Sequence, residues 1–471
     1  MNIDRQVNLW DQAQVARYSA NWSLLLQCLG QLIEAKEGRE ERGEGREERG
    51  ERQEVCLFPT FSASPTPSLK NPKQAKLLIW AMDVLEFGDF HQRWDIAKLL
   101  PKLAKSTYGS VTEVVAPLIE VLEDEDADEE LRWFCIRILG KFNHPNVITV
   151  LVELLKTSDS EEKAIAAQAL AEIGSDAIAS ITELLAQQET RLLAVRSLFY
   201  IRHVETITPL LSVTQDPQIE VRAAAIEALS SFHDPRVAPV LLNALNDVAA
   251  MVRREAVIGL GFRTDLQAQL DLVNWLLPRL YDFNLEVCSA AAIALGRIGT
   301  DAAAAGLFNV LQSPHTPLSV QIEIVRALAR VGTQISLEYL RSCLYQLATP
   351  TVCLEIAGVL GRIESSNLKA KAAQILIELL QSNHSLLQQA TLKQAIALSL
   401  GQLSQTEAID ALIGLLADAD LAVRLHAIAA LKQLDEHLYH KLEQMSSDTS
   451  LLPQLQQGIA IALQEWSMGN T

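Results

Sequence analysis

The sequence predicts an all-α fold, a right-handed α-α superhelix of about twelve two-helix repeats, and three observations carry that prediction. A nine-residue pattern, apolar-Arg/Lys-x-x-Ala/Ile-x-x-x-Leu, recurs along the chain and closes on Leu100, Leu139, Leu170, Leu198, Leu229, Leu260, Leu295, Leu328, Leu360, Leu400, Leu431 and Leu463. That spacing is two short helices plus turns, the unit of a solenoid. Hydrophobic residues make up 49% of the chain and aromatics only 5%, so the apolar mass is Leu, Ala, Ile and Val. Such side chains suit closely packed helices better than a β-sandwich or barrel. Finally, Pro145, Gly174, Pro217, Pro235, Gly299, Gly332 and Pro350 fall between the periodic segments, where they punctuate helices without interrupting them.

Taken in order, residues 1–35 carry Trp10, Val15, Trp22, Leu25, Leu26 and Leu29 and read as a helical segment tethered ahead of the repeats. Residues 36–72 read as a low-complexity disordered linker: EGREERG occurs twice in tandem, over 37–43 and 44–50, and a Pro/Ser-rich run comes after it. Such a stretch buries too little apolar surface to offset chain entropy. Residues 73–466 form the solenoid and 467–471 a tail. Within each repeat the motif helix is preceded by a second apolar helix, such as VAPVLLNALND over 237–247. One repeat cannot bury its own face, so neighbours stack into a continuous core.

Numbering the motif from 0, positions 0, 3, 4, 7 and 8 share one helical arc and hold the core. Position 1 is basic in eight repeats, among them Arg93, Arg132, Arg191, Arg222, Arg253 and Arg424. An acid lies five residues before position 0 at Asp126, Asp216, Asp247, Asp282 and Asp418. The reading favoured over a phosphate-binding row is a structural ladder, with Arg132, Arg222, Arg253 and Arg424 tied to acids such as Asp216 and Asp247 by charge-assisted hydrogen bonds between turns.

Positions 2, 6 and 10 point away from the core arc and report the outer surface of the motif helix. They hold ten basic residues against three acidic ones, in a chain with 58 Asp plus Glu, 40 Lys plus Arg and a net charge of −18. The balance of the whole chain argues against a nucleic-acid binder, whereas this row combines bases with large apolar side chains. The candidate partner- or ligand-binding residues are therefore Trp94, Lys98, Trp133, Arg137, Lys141, Leu192, Arg196, Tyr200, Arg254 and Ile258, facing an acidic partner.

Other chemistries find little support in the sequence. No run of about 18 apolar residues predicts a membrane span, and no secretory signal is visible at the N-terminus. Six cysteines without a CxxC pair predict free thiols and a cytoplasmic chain. The nine histidines include no HExxH, HxxxH or His-Glu pair, and GxSxG, GxxxxGK[ST] and GxGxxG are all missing. No catalytic residue, metal site or cofactor is expected on these grounds.

The recurring VRxxAxxAL core with small residues after it, as in ALGRIG over 294–299 and VLGRI over 359–363, resembles HEAT repeats, in particular the phycobilisome lyase HEAT-like subclass of cyanobacteria. GDFHQRWDIAKLLPKL over 88–103 looks like the start of such members. The resemblance implies a non-catalytic protein-binding scaffold or chaperone in phycobiliprotein assembly or turnover. Its partner would be a phycobiliprotein subunit or a second HEAT protein, with a bilin as a bound ligand. It also implies two alternatives, a bilin lyase or lyase subunit, and a partner of iron–sulfur assembly scaffolds. Related deoxyhypusine hydroxylases bind iron through His-Glu pairs, which this chain lacks.

Overall fold

The structure, a computed structural model, describes residues 3–40, 72–105, 110–124, 126–346, 349–434, 437–448 and 450–468. These are helices and turns, with no strand among the described residues. The chain divides into two compact units, Met1–Phe232 and His233–Thr471. The first holds α1 (Ile3–Tyr18), α2 (Trp22–Glu40), α3 (Pro72–Phe87), α4 (Phe90–Lys105), α5 (Val111–Glu123), α6 (Glu129–Leu139), α7 (Pro145–Thr157), α8 (Ser160–Ile173), α9 (Ile178–Glu183), α10 (Arg191–Ile201), α11 (Ile207–Ser212) and α12 (Ile219–Leu229).

The second unit holds α13 (Val237–Ala244), α14 (Ala250–Phe262), α15 (Gln267–Leu270), α16 (Leu272–Leu276), α17 (Leu285–Ile298), α18 (Asp301–Leu311), α19 (Leu318–Val331), α20 (Gln334–Gln346), α21 (Pro350–Gly361), α22 (Ser366–Gln381), α23 (Ala390–Leu403), α24 (Ile409–Leu415), α25 (Leu421–Leu434), α26 (Leu438–Ser446) and α27 (Pro453–Met468). Each predicted motif segment is a helix: α4, α6, α8, α10 and α12 in the first unit, and α14, α17, α19, α21, α23, α25 and α27 in the second. The residue at position 4, from Ile96 to Ile459, is 0% exposed in all twelve, as the predicted arc requires.

Small residues just past the closing leucine let the motif helices approach one another closely. Position 9 is glycine at Gly140, Gly261, Gly296, Gly361 and Gly401. A Cβ there would come within 2.8, 2.7, 3.0, 2.6 and 3.0 Å of the small residue at position 7 of the next repeat, respectively Ala169, Ala294, Ala327, Ser399 and Ala430. These glycines lie in the last turn or at the cap of their helices, where a side chain would meet the neighbouring backbone, so the close approach outweighs a propensity cost of at most about 1 kcal/mol. Position 12 then turns the chain into the left-handed region at Gly174, Arg202, Gly299, Gly332 and Ser404, ending the helix with the conformation glycine adopts most readily.

A shared device fastens the turns. Arg253 donates from Nη1 to the carbonyls of Asp247 and Val248 in its own turn (2.8 and 3.0 Å), and from Nε and Nη2 to Asp282 of the next repeat (2.7 Å each). Asp282 in turn accepts the Asn284 N–H, and Asp247 that of Ala249. Arg222 grips the Asp216 and Pro217 carbonyls, Arg424 those of Asp418 and Ala419, and Arg191 reaches Asp216 at 2.6 Å. Cys288 fills the arginine position with its thiol on the Asp282 carbonyl at 3.1 Å, so the grip on the turn survives the loss of the charge.

The early repeats depart from the expected spacing. Arg93 pairs with Asp128 and Glu130, and Arg132 with Glu162. Asp126 is exposed, and its backbone N–H donates to Asp124. The acid has moved onto the start of the following helix, where Asp128 also caps α6 through the Leu131 N–H and carboxylates favour the helix dipole.

The N-terminal segment differs from the tethered helix read in the sequence. It is a hairpin, α1 and α2, packed against α3 and α4 as a further layer of the stack. Trp10 lies 5.5 Å from Trp80, Trp22 stacks on Phe87 at 5.9 Å, and Arg17 pairs with Asp83. Leu25, Leu29, Leu32 and Ile33 are buried. Helix α2 runs on to Glu40, five residues into the segment read as a linker, and residues 41–71 of that segment lie outside the described residues.

Candidate partner-binding surface

On the first unit, α4 and α6 bring Trp94, Lys98 and Arg137 together. Position 2 of α4 and position 6 of α6 face the same side of adjacent helices, so the Arg137 guanidinium lies 5.0 Å over the Trp94 ring and the Lys98 ammonium 5.6 Å from it. Trp94 is 40% exposed and is backed by Phe90, stacked at 6.4 Å, and by the edge of Phe134 at 6.4 Å. This backing fixes the indole in place, and the cation over its face is partly relieved of water. Arg137 makes no ion pair among the described residues, whereas Lys98 is bound to Asp95 at 2.9 Å and Lys141 to Glu172 at 2.7 Å.

The remaining candidates on this unit stand apart from the cluster. Trp133 is half-buried and borders an acidic groove of about 220 Å³ with Glu129, Glu130, Asp159, Glu161 and Glu162. Its surroundings are therefore opposite in charge to those expected of a basic row. Leu192, Arg196 and Tyr200 lie on α10, with α8 and its Ala164, Gln168 and Glu172 between them and α6. Arg196 and Tyr200 are exposed, and Leu192 is half-buried. Position 2 is half-buried or buried in most repeats, so the surface of the motif helices is built mainly from positions 6 and 10.

On the second unit Arg254 and Ile258 border a groove of about 560 Å³ between α14 and α17. Its floor is Ala290, Ile293 and Ala294, and its walls include Phe262 and Leu285. Arg297 lies over Phe262, its guanidinium carbon 4.1 Å from the ring centroid. Arg254 is held by Glu255 at 2.6 Å and by Glu286 at 3.7 Å. Phe262 and Arg297 occupy position 10 in successive repeats. That shared register is the signal by which this groove could have been found in the sequence. Phe90, four residues before Trp94, was legible in the same way.

The thiols are of another kind. Cys28, Cys135, Cys288, Cys343 and Cys353 are free and buried. Burial pushes Cys135 and Cys343 up to about 12 and Cys353 to about 11, which disfavours the thiolate that metals and electrophiles need. Among the described residues no three His, Cys, Asp or Glu side chains converge on a point where a metal could sit. No described helix is long and apolar enough to cross a membrane.

With this geometry in hand, the comparisons with known proteins decide what the repeats are. The family of HEAT repeats matches residues 115–191, 181–261 and 240–318, and the PBS lyase HEAT-like repeat matches 392–418. The solenoid is built of HEAT repeats. Among solved structures it is similar to importin beta, with 12% identity, a TM-score of 0.50, and 84% of this chain and 61% of that one covered. A Kap121p mutant is similar at 12% identity and TM-score 0.50, over 82% of this chain and 47% of that one. Human deoxyhypusine hydroxylase matches at 20% identity over 55% of this chain and 96% of that one, with a TM-score of 0.25. The HEAT chain thus spans less than two thirds of importin beta and of Kap121p, and these likenesses establish fold alone. No curated protein matches the sequence.

Proposed function

We propose that this HEAT solenoid is a non-catalytic scaffold that captures an acidic protein partner on its motif helices, and that the partner is a phycobiliprotein subunit. The observation that carries the capture is Arg137, held over the exposed Trp94 with no carboxylate of its own among the described residues. A planar guanidinium fixed on an aromatic face loses little entropy when it accepts a carboxylate, and Arg and Trp anchors dominate interface energetics. The choice of partner is supported by the PBS lyase HEAT-like repeat over 392–418. A second HEAT protein is the competing partner on the same grounds.

Biolayer interferometry of the purified chain against an apo-phycobiliprotein subunit tests this reading. Binding should weaken about tenfold, or 1.4 kcal/mol, in Arg137→Glu, with the far-UV circular dichroism unchanged. Undiminished binding in that variant removes the α4–α6 face from the interface, and no binding at all by the unaltered chain overturns the choice of partner. Addition of phycocyanobilin to the mixture separates the bilin-lyase alternative, which requires a red-shifted pigment covalently attached to the subunit. In that reading the rings would lie on Trp94 and the propionates on Arg137.

A further inference from the structure

We infer that the groove between α14 and α17 is a second anchoring site, which takes one apolar side chain from an acidic segment of a partner protein and holds the neighbouring carboxylate on Arg297. This rests on the reading of the chain as a partner-binding solenoid and adds to it a separate place and a chemistry for the captured segment.

The two cations of the groove are not equivalent: Arg254 is already engaged by Glu255 and Glu286, while Arg297 makes no ion pair among the described residues and rests on Phe262. The groove is thus neutralised at one end and cationic at the other. Arg330, exposed at the same register one repeat further on, is likewise without an ion pair among the described residues. An anionic segment meets two available guanidiniums here, in a chain whose net charge is −18.

Shape supplies the rest. About 560 Å³ over a floor of Ile293 and Ala294 accommodates one large apolar side chain. The space is open to solvent along its length, as an extended segment of chain requires. The apolar surface continues beyond the groove: Leu285 lines it and is 47% exposed, and Phe283, two residues before, is fully exposed. An exposed Phe beside an apolar groove is a feature of binding surfaces, since a solvated phenyl contributes nothing to folding.

The test uses the full chain and a fluorescein-labelled peptide, Gly-Asp-Glu-Asp-Phe-Glu-Asp-Gly, read by fluorescence anisotropy. Two peptides accompany it, one with Lys for every acid and one with Ala for Phe. The acidic Phe peptide should bind, the Lys peptide should not, and the Ala peptide should bind at least about tenfold more weakly. Arg297→Glu should abolish binding, and Phe262→Ala, which removes the platform under the guanidinium, should weaken it. Both positions are exposed, so circular dichroism should be unchanged. Binding that survives Arg297→Glu, or a Lys peptide that binds as well as the acidic one, overturns the inference. Loss of peptide binding in Arg137→Glu with none in Arg297→Glu moves the segment to the α4–α6 face and also overturns it. Loss in Arg297→Glu, combined with no capture of a phycobiliprotein subunit, overturns the choice of cargo and leaves the groove standing.

Discussion

The aromatic cluster on α4 and α6 and the groove between α14 and α17 each set an arginine on an aromatic ring, at positions 6 and 2 in the first and at position 10 of both helices in the second, and they also differ in one core-facing side chain. In both, an arginine lies over an aromatic ring from the preceding motif helix, Arg137 on Trp94 and Arg297 on Phe262. Position 3 of the second helix is Phe134 in the first case and Ala290 in the second. Phe134 is 1% exposed and fills the space between the helices, with Phe90 against its ring at 5.5 Å, so the aromatic stands up as a ridge. Ala290 leaves that space open, and the groove of about 560 Å³ results. One repeat framework therefore offers a cation-on-indole ridge or a concave slot, and the side-chain volume at position 3 is one of the differences that separates them.

The largest expected effect exchanges that side chain. Phe134→Ala should cost about 3–5 kcal/mol in urea unfolding and should also loosen Trp94, since the cavity lies beneath the indole. In the other direction, Ala290→Phe should close the groove and abolish binding of the acidic Phe peptide, at about 1–3 kcal/mol of overpacking. Groove binding that persists in Ala290→Phe would sever the volume argument from the ligand argument.

Next in size is the ladder, which uses the turn aspartates at Arg191, Arg253 and Lys393 and is displaced onto the following helix at Arg93 and Arg132. The Arg253 guanidinium holds the Asp282 carboxyl below the usual carboxylate range, as Arg93 does for Asp128 and Arg132 for Glu162. A depressed folded-state value contributes stability that is fully present above the unfolded value of about 4. That stability is lost as pH falls through the lower folded one. The melting temperature should accordingly fall below about pH 4. Arg253→Met should lower stability at pH 7 by about 1–3 kcal/mol, by leaving Asp282 without its charged partner, and should flatten that acid dependence. An unchanged pH profile in the variant would show that other carboxylates set it.

The smallest effect lies at the helix ends. Arg202 holds the left-handed conformation that Gly299 and Gly332 hold at the same register. Arg202→Gly should therefore raise stability by about 0.5–1 kcal/mol, measured as an increase in the urea midpoint. A decrease would mean that the cation over Phe199, at 5.8 Å, outweighs the backbone term.

The twelve motif helices, their buried arc and the arginine–aspartate link at Arg191 and Arg253 were legible from spacing, because a repeat obliges each residue to meet the same environment many times, whereas the displaced acids that meet Arg93 and Arg132 were not. The hairpin nature of residues 3–40 was not legible: a single unit without a second copy has no period to expose it, and its partners Trp80, Asp83 and Phe87 lie beyond a charged segment. The neutralisation of Lys98 and Lys141 and the acidic setting of Trp133 were also hidden. A row counted along motif positions does not report which neighbouring helix supplies a counter-charge.

By itself, then, the sequence determined that this protein is a stack of two-helix repeats, which side of each motif helix is buried, and that the basic residues gather on the opposite side. Tertiary structure decided which of those bases remain without an acid among the described residues and which space beside them stays open. The physical reason is range. Periodicity is a local property carried by i to i+4 neighbours, whereas pairing and cavity volume depend on side chains some thirty residues away, such as Glu172 against Lys141 or Ala290 beside Phe262.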